Sequence, residues 1–149
     1  MTQLGPLMRS RHVSIDLGGL PDLVAYAEPR LLARVFDNVL TNAVQYNRDG
    51  GNVTVRGRFE ERAGDQPSVV VLEVEDTGPG IPVEEQERIF ERFYRIDQSR
   101  ARHTGGTGLG LAICREVLTA MHGGIRVASS GPSGTRIEMS VPGKASHGG

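Results

Sequence analysis

Residues 103–114 read HTGGTGLGLAIC, with Gly105, Gly106, Gly108 and Gly110 packed into a short loop and an apolar run directly behind it. Glycine lets bare backbone N–H groups approach an anion where a Cβ would stand in the way. Two familiar phosphate loops are nevertheless excluded. A P-loop ends in Gly-Lys-Ser/Thr, whereas Leu111 and Ala112 follow Gly110. The dinucleotide fingerprint is G-x-G-x-x-G, whereas Gly106, Gly108 and Gly110 are evenly spaced. Behind the loop, Leu111, Cys114, Leu118 and Met121 mark one face of a helix. The loop ends where that helix starts, so free N–H groups and the positive helix end face whatever the loop encloses. A flexible hinge would explain the glycines but not the abrupt helix start.

The rest of the chain bounds the possibilities. Its 149 residues suit one domain with a hydrophobic core. Apolar content of 38% and charged content of 23% are ordinary for a globular protein. A net charge of −1 offers no bulk attraction to nucleic acid or to an anionic membrane, and neither is expected as a partner. Lys144 is the sole lysine, so no lysine in the body can hold a phosphate. With Cys114 as the sole cysteine, an internal disulfide is impossible and a reducing compartment fits. No apolar stretch approaches the ~18 residues of a membrane span. The opening MTQLGPLMRS lacks the apolar core of a signal peptide. Residues 1–11 are expected to be disordered or appended, 12–142 to form the domain, and 143–149 to be a disordered tail.

Strands are expected at 13–18, 22–29, 52–59 and 68–76, the last two as a hairpin, with a closing strand pair over 124–142. A helix starts at Pro29, where proline suits the first turn. It carries Leu31, Leu32, Val35, Val39, Ala43 and Val44 at helical spacing. Residues 83–94 begin acidic and predict at most a short helix. Residues 95–107 have no periodicity and predict a long mobile loop. Strands clustered around interspersed helices imply an α+β fold, a two-layer α/β sandwich with a mixed sheet.

Four constellations could carry chemistry. Asn38, Asn42 and Gln45 share one face of the long helix, beside its apolar stripe. Asparagine is disfavoured inside helices. The three are either a solvated face or a carboxamide set offering oxygens to Mg²⁺ and N–H groups to phosphates. Asp76-Thr77-Gly78-Pro79-Gly80 ends a buried strand. That Asp either caps the following turn or presents a carboxylate to an exocyclic amine, with the glycines letting a flat base lie against the backbone. Phe90 and Phe93 read as core-facing aromatics, while Tyr94 and Arg95 open the mobile loop, where Arg95 could reach a terminal phosphate. The glycine loop, with Thr107 and Leu109 between its glycines, is the fourth. The four histidines have no metal-ligand spacing, and His122 before Gly-Gly reads as a helix-end residue. Cys114 reads as core.

Taken in order, these blocks resemble one family. VFDNVLTNAVQYN (35–47) is similar to the N box of sensor histidine kinases, VEDTGPGIP (74–82) to their G1 box, IFERFYRID (89–97) to their F box and GGTGLGLAIC (105–114) to their G2 box. MHGGIRVASSGPSGTRIEMSVP (121–142) resembles their closing strands. The resemblance covers about residues 20–142 and implies the Bergerat ATP-binding fold: a mostly antiparallel mixed sheet covered on one face by helices, with ATP between helices under a lid at 95–107. It implies ATP and Mg²⁺ as cofactors and Asn38 as the Mg²⁺ ligand. Asn42 and Gln45 would lie at the phosphates, and Tyr46 near adenine or ribose. Asp76 would take the adenine amine, with Gly78, Gly80 and Ile81 forming the base pocket. Tyr94 would belong to the ATP-binding set, Arg95 would approach the γ-phosphate from the lid, and Gly106, Thr107, Gly108, Leu109 and Gly110 would wrap the triphosphate. Asn38 and Arg95 are the implied catalytic pair.

Gln45 departs from the family's usual Lys or Arg and predicts weaker nucleotide affinity. Asn38 stands where the ATPase branches carry a Glu, and an amide cannot act as a base for water. The resemblance therefore implies transfer of the γ-phosphate to a histidine, on a dimerisation domain whose sequence is not recognisable here, with a response regulator downstream. It places the domain on the cytoplasmic side of a membrane-anchored sensor and predicts a monomeric fragment that cannot phosphorylate itself. A serine kinase of the anti-sigma-factor type, or a degenerate nucleotide-binding module, are the alternatives.

Overall fold

The computed structural model describes residues 4–19, 23–25, 27–66, 68–91 and 110–145. Six strands build one sheet: β1 (Ser14–Gly19), β2 (Leu23–Ala25), β3 (Asn52–Glu60), β4 (Val69–Asp76), β5 (Gly124–Gly131) and β6 (Gly134–Ala145). The path runs β1-β3-β4-β6-β2, with β5 also paired to β6. β1 and β3 are parallel, and the other pairings are antiparallel. The expected hairpin is present, with Val55 opposite Val74. The sheet is therefore mixed and mostly antiparallel, as the α+β reading required.

Period-two alternation gives the sheet two unlike faces. Val53, Val55, Val70, Leu72, Val74, Ile137, Met139 and Val141 form the core beneath the helices. The opposite face carries ion pairs. Arg56 meets Glu75 at 2.8 Å, Arg58 reaches Glu73 and Glu138, and Arg126 meets Glu138 at 2.9 Å. Burial would push the Glu138 carboxyl up, but hydrogen bonds from Arg126 and Arg58 outweigh it and hold it below the ordinary value. Exposed pairs of this kind contribute roughly 0–1 kcal/mol each, so this face keeps the sheet solvated more than it holds it together.

Two long helices cover the core face. α2 (Pro29–Gln45) starts with Pro29 in its first turn, where the Glu28 carboxylate accepts from the Arg30 N–H at 3.0 Å. It buries Val35, Val39, Ala43 and Val44. Leu31, expected in that stripe, is 43% exposed. α3 (Gly110–Ala120) packs on α2 through Leu111, Cys114 and Leu118. It ends on a left-handed residue, His122 (φ 66°), with the Gly123 N–H closing onto the Leu118 carbonyl at 2.7 Å. That places His122 at the helix end, as its sequence context suggested.

Both expected disordered ends need correction. Residues 4–11, expected to lack structure, form helix α1 (Leu4–Arg11) against α2. Met8 packs on the core, and its carbonyl accepts from the Val13 N–H at 3.0 Å. Gly5 and Pro6 hide that helix from a reading of propensity. The tail was expected to start at 143, yet β6 continues to Ala145 because Gly143–Ala145 pair with β2. Only partner strands 120 residues upstream in sequence could reveal that extension, since backbone hydrogen bonds rather than side chains carry it. Between β4 and α3, the expected short helix is two single 3-10 turns, Val83–Glu85 and Arg88–Phe90. Ile89 and Phe90 are buried, and the Arg115 guanidinium lies 4.4 Å from the centre of the Phe90 ring. Phe93, Tyr94, Gly108 and Leu109, and the lid expected at 95–107 with Arg95, Gly105, Gly106 and Thr107, lie outside the described residues.

Candidate functional site

Four elements meet at one cleft. α2 contributes Val39, Asn42, Ala43 and Tyr46, and the loop after β4 contributes Asp76, Pro79, Gly80 and Ile81. Leu111 from α3 and Thr135 and Ile137 from β6 complete it. The cleft holds about 660 Å³ of space, its open mouth and the solvent in it included. Its walls are largely aliphatic, with a few polar groups at defined points.

Asp76 is the most constrained of these. It is the last residue of β4, opposite Val53 of β3. Its Oδ1 accepts from the Gly78 N–H at 2.9 Å and from the Thr135 N–H at 3.1 Å. Those two donors hold the carboxylate in one orientation and leave Oδ2 as an acceptor. Burial pushes the Asp76 carboxyl above its ordinary value; the two N–H donors pull it back part of the way, and neighbouring Glu75 adds to the rise.

The glycines here answer to sterics. Gly80 has φ 90° and lies against the Gly131 carbonyl, so any Cβ would collide with main chain. A Cβ on Gly78 would come within 2.8 Å of the Tyr46 carbonyl oxygen. The Ile81 N–H donates to Ser130 Oγ at 2.7 Å, and Ser130 Oγ lies 2.8 Å from Thr135 Oγ1. The loop after β4 is thus tied to the β5–β6 turn from both sides.

Of the α2 carboxamides, Asn42 lines the cleft and Asn38 stands one turn earlier on the same helix, at the start of α3. Asn38 Nδ2 donates to the Gly110 carbonyl at 3.5 Å, which brings the N-box-like helix to the first turn of α3. The same side chain lies at Cys114, whose thiol burial pushes up to about 12, with the Asn38 contact opposing the shift. Cys114 also donates to the Val35 carbonyl at 3.6 Å, so it is a packed core residue, as expected. Asn42 lines the cleft directly. Gln45 does not: it is 8% exposed and sits within the interior at the end of α2. The expected position beside the apolar stripe is corrected here, because Ala43, Val44 and Gln45 are all buried where the last turn of α2 is enclosed.

The structure therefore brings Asn42, Tyr46, Asp76, Gly80 and Ile81 to one cleft, with Gly78 behind Asp76 and with Asn38 and Gly110 in mutual contact at α3. A cation fits only in a particular way. Among the described residues, no group of three His, Cys, Asp or Glu side chains could hold a metal. The Asn38 amide, its N–H spent on Gly110, keeps Oδ1 as a single oxygen ligand. That suits Mg²⁺, which takes few protein ligands and shares itself with phosphates and water. Thr135 and Ser130 were not anticipated. They lie 59 and 54 residues beyond Asp76, and no local pattern links them to it. Asn47 was also missed: fully buried, it accepts from Thr77 Oγ1 at 2.9 Å and donates to the Asn52 carbonyl at 2.9 Å.

Residues 27–145 match the family model described as Histidine kinase-, DNA gyrase B-, and HSP90-like ATPase. The chain is 37% identical over 138 residues to the sensor histidine kinase WalK of Bacillus subtilis, covering 91% of this chain and 22% of WalK. The chain thus spans about a fifth of the length of that curated relative. Among solved structures, the mycobacterial sensor histidine kinase MprB superposes with a TM-score of 0.74 at 30% identity, covering 96% of this chain and 92% of that one. Full-length ShkA in complex with AMPPNP superposes with a TM-score of 0.70 at 26% identity, covering 96% of this chain and 29% of that one. Among the described residues, no helix is long and apolar enough to cross a membrane.

Proposed function

The chain belongs to the histidine kinase-, DNA gyrase B- and HSP90-like ATPase family as a catalytic domain of the sensor histidine kinase type, and on that premise we propose that it binds Mg²⁺-ATP and passes the γ-phosphoryl group to a histidine of a separate dimerisation domain. The observation that carries the reading is the Asp76 carboxylate. It stands in an aliphatic cleft, fixed through Oδ1 by two backbone N–H groups, with Oδ2 left to accept from the amine of adenine. Val39, Ala43, Ile81, Leu111 and Ile137 supply the apolar surfaces on which a purine is desolvated.

The phosphates extend from there toward α3. Asn42 donates to a phosphate oxygen, and Asn38 supplies an amide oxygen to Mg²⁺. Asn38 would hold the ion through that oxygen, and the chemistry it would supply is neutralisation of phosphate charge. By the family resemblance, Arg95 and the glycines Gly106, Gly108 and Gly110 would contact the triphosphate. In the transfer, a nitrogen of the acceptor imidazole attacks the γ-phosphorus. The bond to the β–γ bridging oxygen breaks, and ADP leaves. This chain's part is positioning and charge stabilisation. Asn38 has no basic lone pair with which to activate water, which favours transfer over hydrolysis. The parent protein acts on a response regulator, with this domain on the cytoplasmic side of a membrane-anchored sensor.

Titration calorimetry with Mg²⁺-ATP, followed by mixing with the separately produced histidine-bearing domain of the parent protein and γ-labelled ATP, tests the reading. The expected product is an acid-labile, base-stable phosphohistidine. ATP binding with no phosphohistidine would overturn the kinase assignment and leave a nucleotide-binding module.

A further inference from the structure

Arg48 follows the end of α2 and lies outside the cleft lining. Its Nε donates to the Thr77 carbonyl at 3.0 Å, and its Nη2 donates to the Pro132 carbonyl at 2.6 Å. These bonds span 29 and 84 residues of sequence and join three segments that nothing local brings together. Its acceptors differ from those of four other arginines among the described residues. Arg56, Arg58, Arg115 and Arg126 all pair with glutamates, whereas Arg48 spends its fork on two main-chain carbonyls.

The two carbonyls are not equally dependent on it. Thr77 is held independently: its N–H donates to the Asn52 carbonyl at 3.2 Å, and its hydroxyl bonds Asn47 and accepts from the Asn52 N–H. Thr77 is therefore the fixed end, and Arg48 adds to the β5–β6 turn a tie beside the one from the Ile81 N–H to Ser130 Oγ. That turn carries the Gly131 carbonyl against Gly80, and it leads directly into Thr135, whose N–H is one of the two donors that aim Asp76.

We propose that Arg48 is a positioning residue for the base end of the cleft: it clamps the β5–β6 turn onto the loop after β4 and so holds the Thr135 N–H on the Asp76 carboxylate. The proposal rests on the nucleotide reading of the cleft. A charged two-pronged donor suits this task because one rigid fork fixes the separation of two carbonyls, which an ammonium on a flexible stem cannot do.

The experiment compares wild type, Arg48→Ala and Arg48→Lys by Mg²⁺-ATP titration across pH, with the melting temperature of each nucleotide-free protein alongside. Loss of two charge-assisted bonds predicts that Arg48→Ala weakens ATP binding about five- to twentyfold. Slackening of the Thr135 N–H also removes a bond that favours ionised Asp76, so the acid limb of the affinity profile moves to higher pH. Arg48→Lys keeps one donor and gives an intermediate affinity and an intermediate limb. It also reads the clamp should the alanine variant fail to fold. Unchanged affinity in either folded variant overturns the proposal. So does weakened affinity with the acid limb unmoved, which would mark general loosening of the fold. Absence of ATP binding by the wild-type chain overturns the nucleotide reading itself and is distinguished by that control.

Discussion

The two ends of the cleft are built by different means. At the end where Asp76 stands, one carboxylate is held by two backbone N–H groups, those of Gly78 and Thr135, 57 residues apart, and a bracing set of Thr77, Ser130 and Arg48 surrounds it. At the end proposed to take the phosphates, neutral carboxamides, Asn38 and Asn42, stand on a single helix, and Asn38 meets Gly110 at the start of α3. One end is rigid and charged; the other offers uncharged polar groups and a helix terminus. The difference matches two tasks. Recognition of a flat base needs a fixed acceptor at one point, whereas a polyanion that must later depart is better met by adaptable donors and a removable cation.

The comparison can be broken most severely at Asp76. Asp76→Asn places an amide N–H₂ where two N–H donors and the base amine already converge, leaving donors unpaired in a buried site. We expect ATP affinity to fall about a hundredfold, with adenosine affected equally, as read by calorimetry. Wild-type ATP binding should also weaken on acidification, with a midpoint above the ordinary aspartate value of about 3.9, and this limb should vanish in the variant. The sign for folding is opposite. A raised carboxyl binds its proton more tightly in the folded chain, so this one group stabilises the fold at low pH and loses that contribution as pH rises through the raised value. A pH-independent ATP affinity down to the aspartate range would remove Asp76 from the amine-accepting role.

Asn38→Ala attacks the opposite end. It should slow phosphoryl transfer by about a hundredfold while leaving adenosine binding within a factor of about two, because only charge stabilisation at the phosphates is lost. Equal losses for adenosine and ATP would show that Asn38 acts by packing on Gly110 and Cys114 instead. The smallest effect is expected from Gln45→Lys. Lysine can bury its stem and carry its ammonium toward the phosphates, so ATP affinity should rise about threefold. Because Gln45 is buried, the same change should lower the melting temperature of the nucleotide-free protein. A melting temperature that falls with no rise in ATP affinity would place position 45 in the core alone.

Legibility followed the range of the interactions. The 17-residue helix α2, the β3–β4 hairpin and the Asp76 turn were readable because side-chain periodicity and turn chemistry act within a few residues. Asn42, Tyr46, Asp76, Gly80 and Ile81 accordingly meet in the cleft. Helix α1 was not readable, since Gly5 and Pro6 argue against it and docking on α2 stabilises it. Gln45 was misplaced because helical spacing gives a direction but not the depth of what encloses it. Thr135, Ser130 and Arg48 carried no signal because their partners are brought to them by strand pairing alone.

The amino-acid sequence by itself determined which chemistry is available: carboxamides without lysine, a single acid before a glycine turn, and an Asn where a water-activating base would stand. These are properties of residue identity and near-neighbour spacing, and folding does not alter them. Only the tertiary structure decided how Asp76 is aimed, that Gln45 is enclosed, and that Arg48 ties two distant carbonyls together. Those outcomes depend on the antiparallel pairing of β4 with β6, which sets Glu75 opposite Arg136 and so carries Thr135 to Asp76. Such a register is settled by the whole buried face at once.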